Sequence, residues 1–255
     1  TLRPGTYLIA PGSEASVAKQ LKTAIPVAHT VTIIPGTRYS ALSAALKLPE
    51  GDDGLLKALS EKDNFPAELH ELLPDDPKDR IVFLLPETYS LAPGNSLASQ
   101  TVRRASGLWM ERVGKRLPEG ADKKFTSQRG VLASIVEGEA RINEERPILA
   151  GIFLNRLNKR MPLQSCATVM YCWDEVGIKK KSLTYKDLEI DSPYNTYRNY
   201  GLPPGPISVP SEDSWISALE PAKTNYLFFF ATSEGNHIFS RTYEEHLRKQ
   251  REGTE

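Results

Sequence analysis

The sequence predicts an α+β protein in two parts: a small α+β module over residues 1–95, then a mainly helical domain over 96–255 that carries a β-hairpin. Three observations lead there. Short strand-like runs near the start are each followed by a helix-like segment. A passage rich in acids and prolines comes next. Beyond about Ser127 apolar residues recur at helical spacing, until two alternating runs near the end read as paired strands.

TYLIA and HTVTIIP read as strands, and SEASVAKQLKTA and RYSALSAALKL behind them as helices, a strand–helix unit used twice. From about Glu50 to Asp79 the acidic composition and Pro66, Pro74 and Pro77 read as irregular or linker-like. RIVFLLPETYSL reads as a third strand, APGN as a turn, and a long helix is expected from about Ser96 to Arg116. LPEGADKKFTS then reads as a loop. Helices follow through VLASIVEGEARI and RPILAGIFLNRL, with Pro147 in a first turn, where its missing N–H costs nothing. After the Pro-rich SPYNTYRNYGLPPGPISVP comes a helix, SEDSWISALEPA, with Ser211 placed as its N-cap. NYLFFFATSEGNHIFS reads as a hairpin turning at Glu234-Gly235-Asn236, and TYEEHLRKQ as a short closing helix.

Lys plus Arg and Asp plus Glu both total 32 among 255 residues. With no excess of positive charge to neutralise phosphates, nucleic acid is not an expected partner. A hydrophobic share of 40% and a charged share of 25% are those of a soluble globular protein. Cys166 and Cys172 are too few for a disulfide framework and lack the ligand pattern of a zinc site. With no activating His nearby in sequence, they are expected to pack rather than react. The longest apolar runs, such as YLFFFA, fall far short of the roughly 20 residues of a membrane span. Thr1 reads as a cut made by processing, which leaves room for an upstream anchor.

One stretch, VLASIVEGEA, sets two carboxylates in an apolar segment. Glu137 and Glu139 stand at i and i+2 and cannot share a helix face. At about 100° per residue, Val131, Leu132, Ile135, Val136 and Ile142 define one apolar face. Glu139 falls within roughly 20° of its middle, while Glu137 lies opposite with Ser134, Arg141 and Glu144. Glu137 is then the solvated or cleft-edge acid and Glu139 the anomaly. Apolar surroundings disfavour a charged carboxylate, and a protonated acid is what a general acid needs to be. The structural alternative is an ion pair between Glu139 and Arg146 or Arg156.

MPLQS places Gln164 and Ser165 after a Pro turn, and PYNTY places Tyr194, Asn195 and Tyr197 in a loop beside the stiff GLPPGPI. Amides and tyrosines along a groove suit a sugar chain, whose faces stack on rings and whose hydroxyls need both donors and acceptors. The plainer reading of each cluster is turn chemistry. His237 and His246 have no carboxylate partner in register, so no metal site is expected.

Taken together, these segments resemble the YceG-like family of endolytic murein transglycosylases. The likeness runs from RPGTYLIAPG through FLLPETYSL and LASIVEGEA to MPLQSCATVMY, SPYNTYRNYGLPPGPISVP and PAKTNYLFFFA. It implies a LysM-like module ahead of a lysozyme-like transglycosylase domain, and an N-terminal anchor in the cytoplasmic membrane, with the catalytic domain in the periplasm or extracytoplasmic space. It implies Glu139 as the catalytic acid, since aligning on the "ASIV-x-x-E" helix of related enzymes lands there. Glu137, Gln164, Ser165, Tyr194, Asn195 and Tyr197 are the implied substrate-contacting residues. Peptidoglycan glycan strands are the implied substrate, peptidoglycan synthases (penicillin-binding proteins) are possible partners, and no metal or cofactor is called for. One departure stands out: relatives often carry Asp where this chain has Cys166. Two other functions share the same residues, a hydrolytic muramidase and a catalytically silent glycan-binding scaffold.

Overall fold

A computed structural model of the chain describes residues 7–24, 29–46, 54–92 and 96–252. It is mostly helical, with two small two-stranded antiparallel sheets. The first sheet pairs β1 (His29–Thr32) with β2 (Thr88–Leu91), Val31 facing Tyr89. Between these strands in sequence come α2 (Tyr39–Ala45), α3 (Gly54–Ser60) and a 3-10 helix over Pro77–Phe83, while α1 (Glu14–Thr23) precedes them. Next are α4 (Leu97–Arg112), α5 (Lys123–Glu139), α6 (Arg146–Asn158), α7 (Cys166–Glu175) and α8 (Glu212–Leu219). The second sheet is a hairpin of β3 (Phe228–Ala231) and β4 (His237–Ser240), and α9 (Tyr243–Glu252) ends the described chain.

Several elements differ from the sequence reading. Residues 7–10 of TYLIA form no strand, and among the described residues β1 (29–32) pairs with β2 alone. Residues 50–79 are not a linker where described: Leu55, Leu59, Phe65, Leu69 and Leu73 are buried, and the acids between them face outward. The third strand shrinks to 88–91. Upstream of it, Asp76 accepts from the Lys78 N–H (2.9 Å) and Pro77 stands in the first turn, which together start a helical turn. The following residues 81–85 are buried throughout, and a fully buried apolar run carries no periodicity to tell strand from helix. The loop expected over 117–127 ends early, because Asp122 caps α5 by accepting from the Phe125 N–H (2.7 Å). Most of the APGN turn lies outside the described residues. Pro147 does stand in the first turn of α6, Ser211 does cap α8, and the hairpin does turn at Gly235.

The buried core runs without a break across position 95. Phe83, Trp109 of α4 and Trp215 of α8 meet edge to face, with Phe83–Trp109 and Trp109–Trp215 centroids 4.9 and 5.1 Å apart. The Trp215 indole donates to the Val82 carbonyl (2.8 Å), the Gly36 N–H donates to the Val209 carbonyl (2.9 Å), and the Val209 N–H donates to the Thr37 carbonyl (2.8 Å). The first half is therefore fastened to the helices that carry the candidate site.

Candidate active site

α5 is the central helix, packed by α6, α7 and α8. Its residues 130–136 are all buried, Ser134 included. A helix buried all round over these residues has no wet face there, so the division into an apolar and a wet face fails. Ile142 also drops out of the apolar stripe, because the helix stops at Glu139.

Glu137 is consequently not the solvated acid. Its side chain is 8% exposed and paired with Arg146, itself 10% exposed, at 3.1 Å. Ser211 donates to it from both its N–H (2.9 Å) and its hydroxyl, and the Ser214 hydroxyl adds a third bond (2.8 Å). Since Ser211 caps α8, the carboxylate also lies at the positive end of that helix. A buried charge demands this much compensation. Arg146, one of the two arginines considered for Glu139, is committed to Glu137.

Glu139 lies half-buried at the last position of α5. Its Oε1 accepts from the Ser165 hydroxyl and from the Ala167 N–H (3.0 Å). Ser165 is the N-cap of α7, yet makes no side-chain cap bond of its own. Its hydroxyl turns to Glu139, whose carboxylate takes one of the unpaired N–H groups of the α7 first turn in its place. Among the described residues, no protein donor reaches Oε2. The two helices meet closely because Gly138 has no side chain: a Cβ there would stand 2.6 Å from the Ala167 Cβ.

The segment that presents Ser165 is held from several sides. Gln164 adopts a left-handed backbone (φ 48°), which costs a non-glycine residue of order 1–3 kcal/mol. The Gln164 N–H donates to the Thr196 carbonyl (3.1 Å) and the Ser165 N–H to the Thr196 hydroxyl (3.0 Å). Thr168 and Thr196 share a further hydroxyl bond (2.9 Å). Arg156 donates to the carbonyls of Leu163 (2.6 Å) and Leu227 (2.7 Å), so it clamps this segment to the hairpin instead of pairing with Glu139. The Gln164 side chain is left exposed beside Ser165.

Tyr197 and Cys166 complete this end, Oη and Sγ 3.2 Å apart. Burial first, and the contact with Cys166 second, hold the Tyr197 phenol well above its usual range, so it stays a donor. Cys166 is exposed, so it does not pack as expected, yet loss of solvation around its sulfur pushes the thiol up, the Tyr197 bond opposing and Glu139 adding to the effect. A thiol so held is a poor nucleophile. Both cysteines are free, and Cys172 is buried.

Two expected groove residues lie elsewhere. Asn195 is fully buried: its amide donates to the Leu188 and Ile190 carbonyls (2.9 and 2.8 Å), and its oxygen accepts from the Tyr197 N–H (3.0 Å). It shapes the loop and has nothing left for a ligand. Tyr194 packs on Tyr171 of α7 (centroids 4.8 Å apart) and, among the described residues, makes no bond to Glu139. His237 does have a carboxylate partner, from far off in sequence: Glu145 meets its Nδ1 at 2.6 Å and its N–H at 2.8 Å. Among the described residues, no group of three His, Cys, Asp or Glu side chains is placed to hold a metal ion. The sequence reading did not find Thr168, Thr196 or the Ala167 N–H. A Ser standing just ahead of the apolar run CATVMY was the one signal for that helix start.

Comparison with known proteins agrees with this arrangement of segments. The sequence pattern of the YceG-like family matches residues 1–252. A Bacillus subtilis (strain 168) protein named endolytic murein transglycosylase is 50% identical over 115 residues, 45% of this chain and 31% of that protein. A Streptococcus pneumoniae (serotype 2, strain D39) protein of the same name is 41% identical over 120 residues, 46% of this chain and 22% of its own length. The chain thus spans under a third of the curated relatives it matches. The crystal structure of a YceG-like protein from Listeria monocytogenes superposes with a TM-score of 0.68 at 31% identity, covering 92% of this chain and 80% of that one. A family pattern that runs nearly end to end, and a fold shared over nine-tenths of the chain, establish that this protein belongs to the YceG-like family.

Proposed function

We propose that the chain is an endolytic peptidoglycan lytic transglycosylase. Residues 96–255 would form a lysozyme-like catalytic domain, and residues 1–95 a LysM-like module that assists in holding glycan. The observation that carries this reading is the contrast between two acids two residues apart. Glu137 is neutralised by Arg146, while among the described residues Glu139 has one oxygen free of protein donors and the other held by Ser165 and Ala167.

In this reading Glu139 protonates the glycosidic oxygen between N-acetylmuramic acid and N-acetylglucosamine. The C1–O bond breaks, and the N-acetylglucosamine departs with that oxygen as a hydroxyl. The positive charge left at C1 is carried as an oxocarbenium-like or oxazolinium species, assisted by the substrate's own acetamido group. Glu139, now ionised, takes the proton of the muramoyl 6-hydroxyl, whose oxygen closes on C1 to leave a 1,6-anhydro end. Water is not consumed, and the single acid acts twice. Ser165 and the Ala167 N–H fix the carboxyl throughout, and the exposed Gln164 and the protonated Tyr197 contact the sugar.

Cutting nascent strands inside the chain would end glycan elongation beside the peptidoglycan synthases, from an anchor in the cytoplasmic membrane. No helix among the described residues is itself long and apolar enough to cross a membrane. Mass spectrometry of glycan digested by the protein tests the reaction. Anhydro ends support it, reducing ends would make the protein a hydrolytic muramidase, and intact strands would leave a glycan-binding scaffold.

A further inference from the structure

A cavity of about 360 Å³ opens on the seam between the two halves of the chain. Tyr39 of α2 and Asp79 of the 3-10 helix form one side of it. Tyr171 and Glu175 of α7, with Tyr194, form the other, and Ile207 closes the end toward α5. None of these side chains bonds to Glu139. α7 nevertheless joins the two places, because Ala167, Tyr171 and Glu175 are spaced four apart and share one face. The Ala167 N–H holds Glu139, and the same face lines the cavity about 6 to 12 Å further along the helix. Between them lies the exposed Gly138, which raises no side chain across the path.

The lining has the chemistry of sugar recognition. Tyr171 and Tyr194 stand with centroids 4.8 Å apart at 44°, and both rings are held before any ligand arrives. The Arg38 guanidinium sits 5.5 Å from the Tyr171 centroid and pairs with Asp174, while the Lys78 ammonium lies 5.4 Å from the Tyr39 centroid. Asp79 Oδ1 and Tyr194 Oη converge above Gly205, where any Cβ would overlap the carboxyl. Burial raises the Tyr194 phenol to about 12, with Asp79 adding to it, so the hydroxyl remains a donor. Burial, then Asp76, raises the Asp79 carboxyl to about 6, so near neutral pH it is largely an acceptor. Aromatic faces with donors and acceptors side by side are what a sugar ring requires.

We propose that this cavity is a distal saccharide subsite, built jointly by the two halves, which holds a glycan strand beyond the ring that sits at Glu139. It rests on the reading of Glu139 as the cleavage site. The test uses Glu139→Gln protein and peptidoglycan glycan fragments of graded length, stripped of their stem peptides, with binding followed by calorimetry. Affinity is expected to step up about tenfold once fragments are long enough to span both places. Asp79→Asn and, separately, Tyr39→Ala should each cut that step severalfold, with short-fragment affinity as the internal reference. The absence of a step, or a step that survives both substitutions, overturns the proposal. A step that appears only on fragments retaining their stems also overturns it, in favour of a peptide pocket. If the unaltered protein cleaves no glycan while the length step is present, the cleavage reading fails and the subsite stands.

Discussion

Glu137 and Glu139 stand two residues apart on one helix, and the chain treats them in opposite ways. Glu137 receives five hydrogen bonds, two of them from Arg146, and sits at the capped start of α8. Glu139 receives two, both on the same oxygen, from the start of α7. Each carboxylate uses the N-terminus of another helix. At Glu137 the arginine and the serines close the site and leave a structural anion. At Glu139, among the described residues, no cation pairs with the acid and the second oxygen meets no protein donor. The lesson is that a carboxylate's job is set by how completely its partners saturate it, more than by how deep it lies.

The comparison breaks most sharply at Glu139. Glu139→Gln is nearly isosteric, so it should lower the rate of anhydro-product formation toward the upper end of the roughly 10²–10⁴-fold range for general acid–base catalysis, with thermal midpoint unchanged. A variant that still cleaves at a tenth of the normal rate would remove Glu139 from the chemistry.

Glu137→Ala should show the converse. Stripping one partner from a buried pair leaves Arg146 uncompensated and costs about 3–5 kcal/mol of stability. Denaturant unfolding should record that loss, while activity per folded molecule stays measurable. Unaltered stability would mean that the Arg146 pair is idle.

Smaller effects sharpen the picture. Ser165→Ala removes one of the two described donors on Glu139, and Gln164→Ala an exposed amide next to Ser165 in the chain. A lost bond of this kind costs about 1–3 kcal/mol, so each should slow turnover roughly ten- to a hundredfold. Rate and melting temperature measured on the same Gln164→Ala sample separate a substrate contact from a turn residue, because only the latter would lower the midpoint without lowering the rate per folded molecule.

The smallest expected effect lies in the seam cavity. Asp79 has a folded pKa raised from 3.8 to about 6, so the folded state binds the extra proton between those values. Its contribution is most favourable below about pH 4 and is lost as pH rises through about 6. Asp79→Asn should therefore stabilise the protein at pH 7 relative to pH 4.5, by roughly 1 kcal/mol once screening of this half-buried group is allowed for. Equal midpoint changes at both pH values would show that the carboxyl is not desolvated.

Local chemistry was legible wherever a residue acts on its near neighbours. Ser211, Pro147 and the Gly235 turn behave as their sequence context requires, because caps and turns are decided within a few positions. Runs buried on all sides were not legible in the same way. In 81–85 and 131–136 every position is apolar or small, so periodicity is silent about which way each residue points. Helical spacing singled out Glu139 from an apolar face that the folded helix does not have, and it sent Glu137 to water although Glu137 is the more enclosed of the two.

The sequence by itself determined the α+β character, the family and the short list of polar residues around VLASIVEGEA and MPLQSC, since these depend on local pattern and on the order of segments. Only the tertiary structure decided which acid is silenced and which is left open. Arg146, Ser211 and Ser214 reach Glu137 from 9 to 77 positions away, and Ser165 and Ala167 reach Glu139 from 26 and 28. A carboxylate's state depends on the charges and donors within a few ångströms of it, and the fold alone selects which distant residues those are.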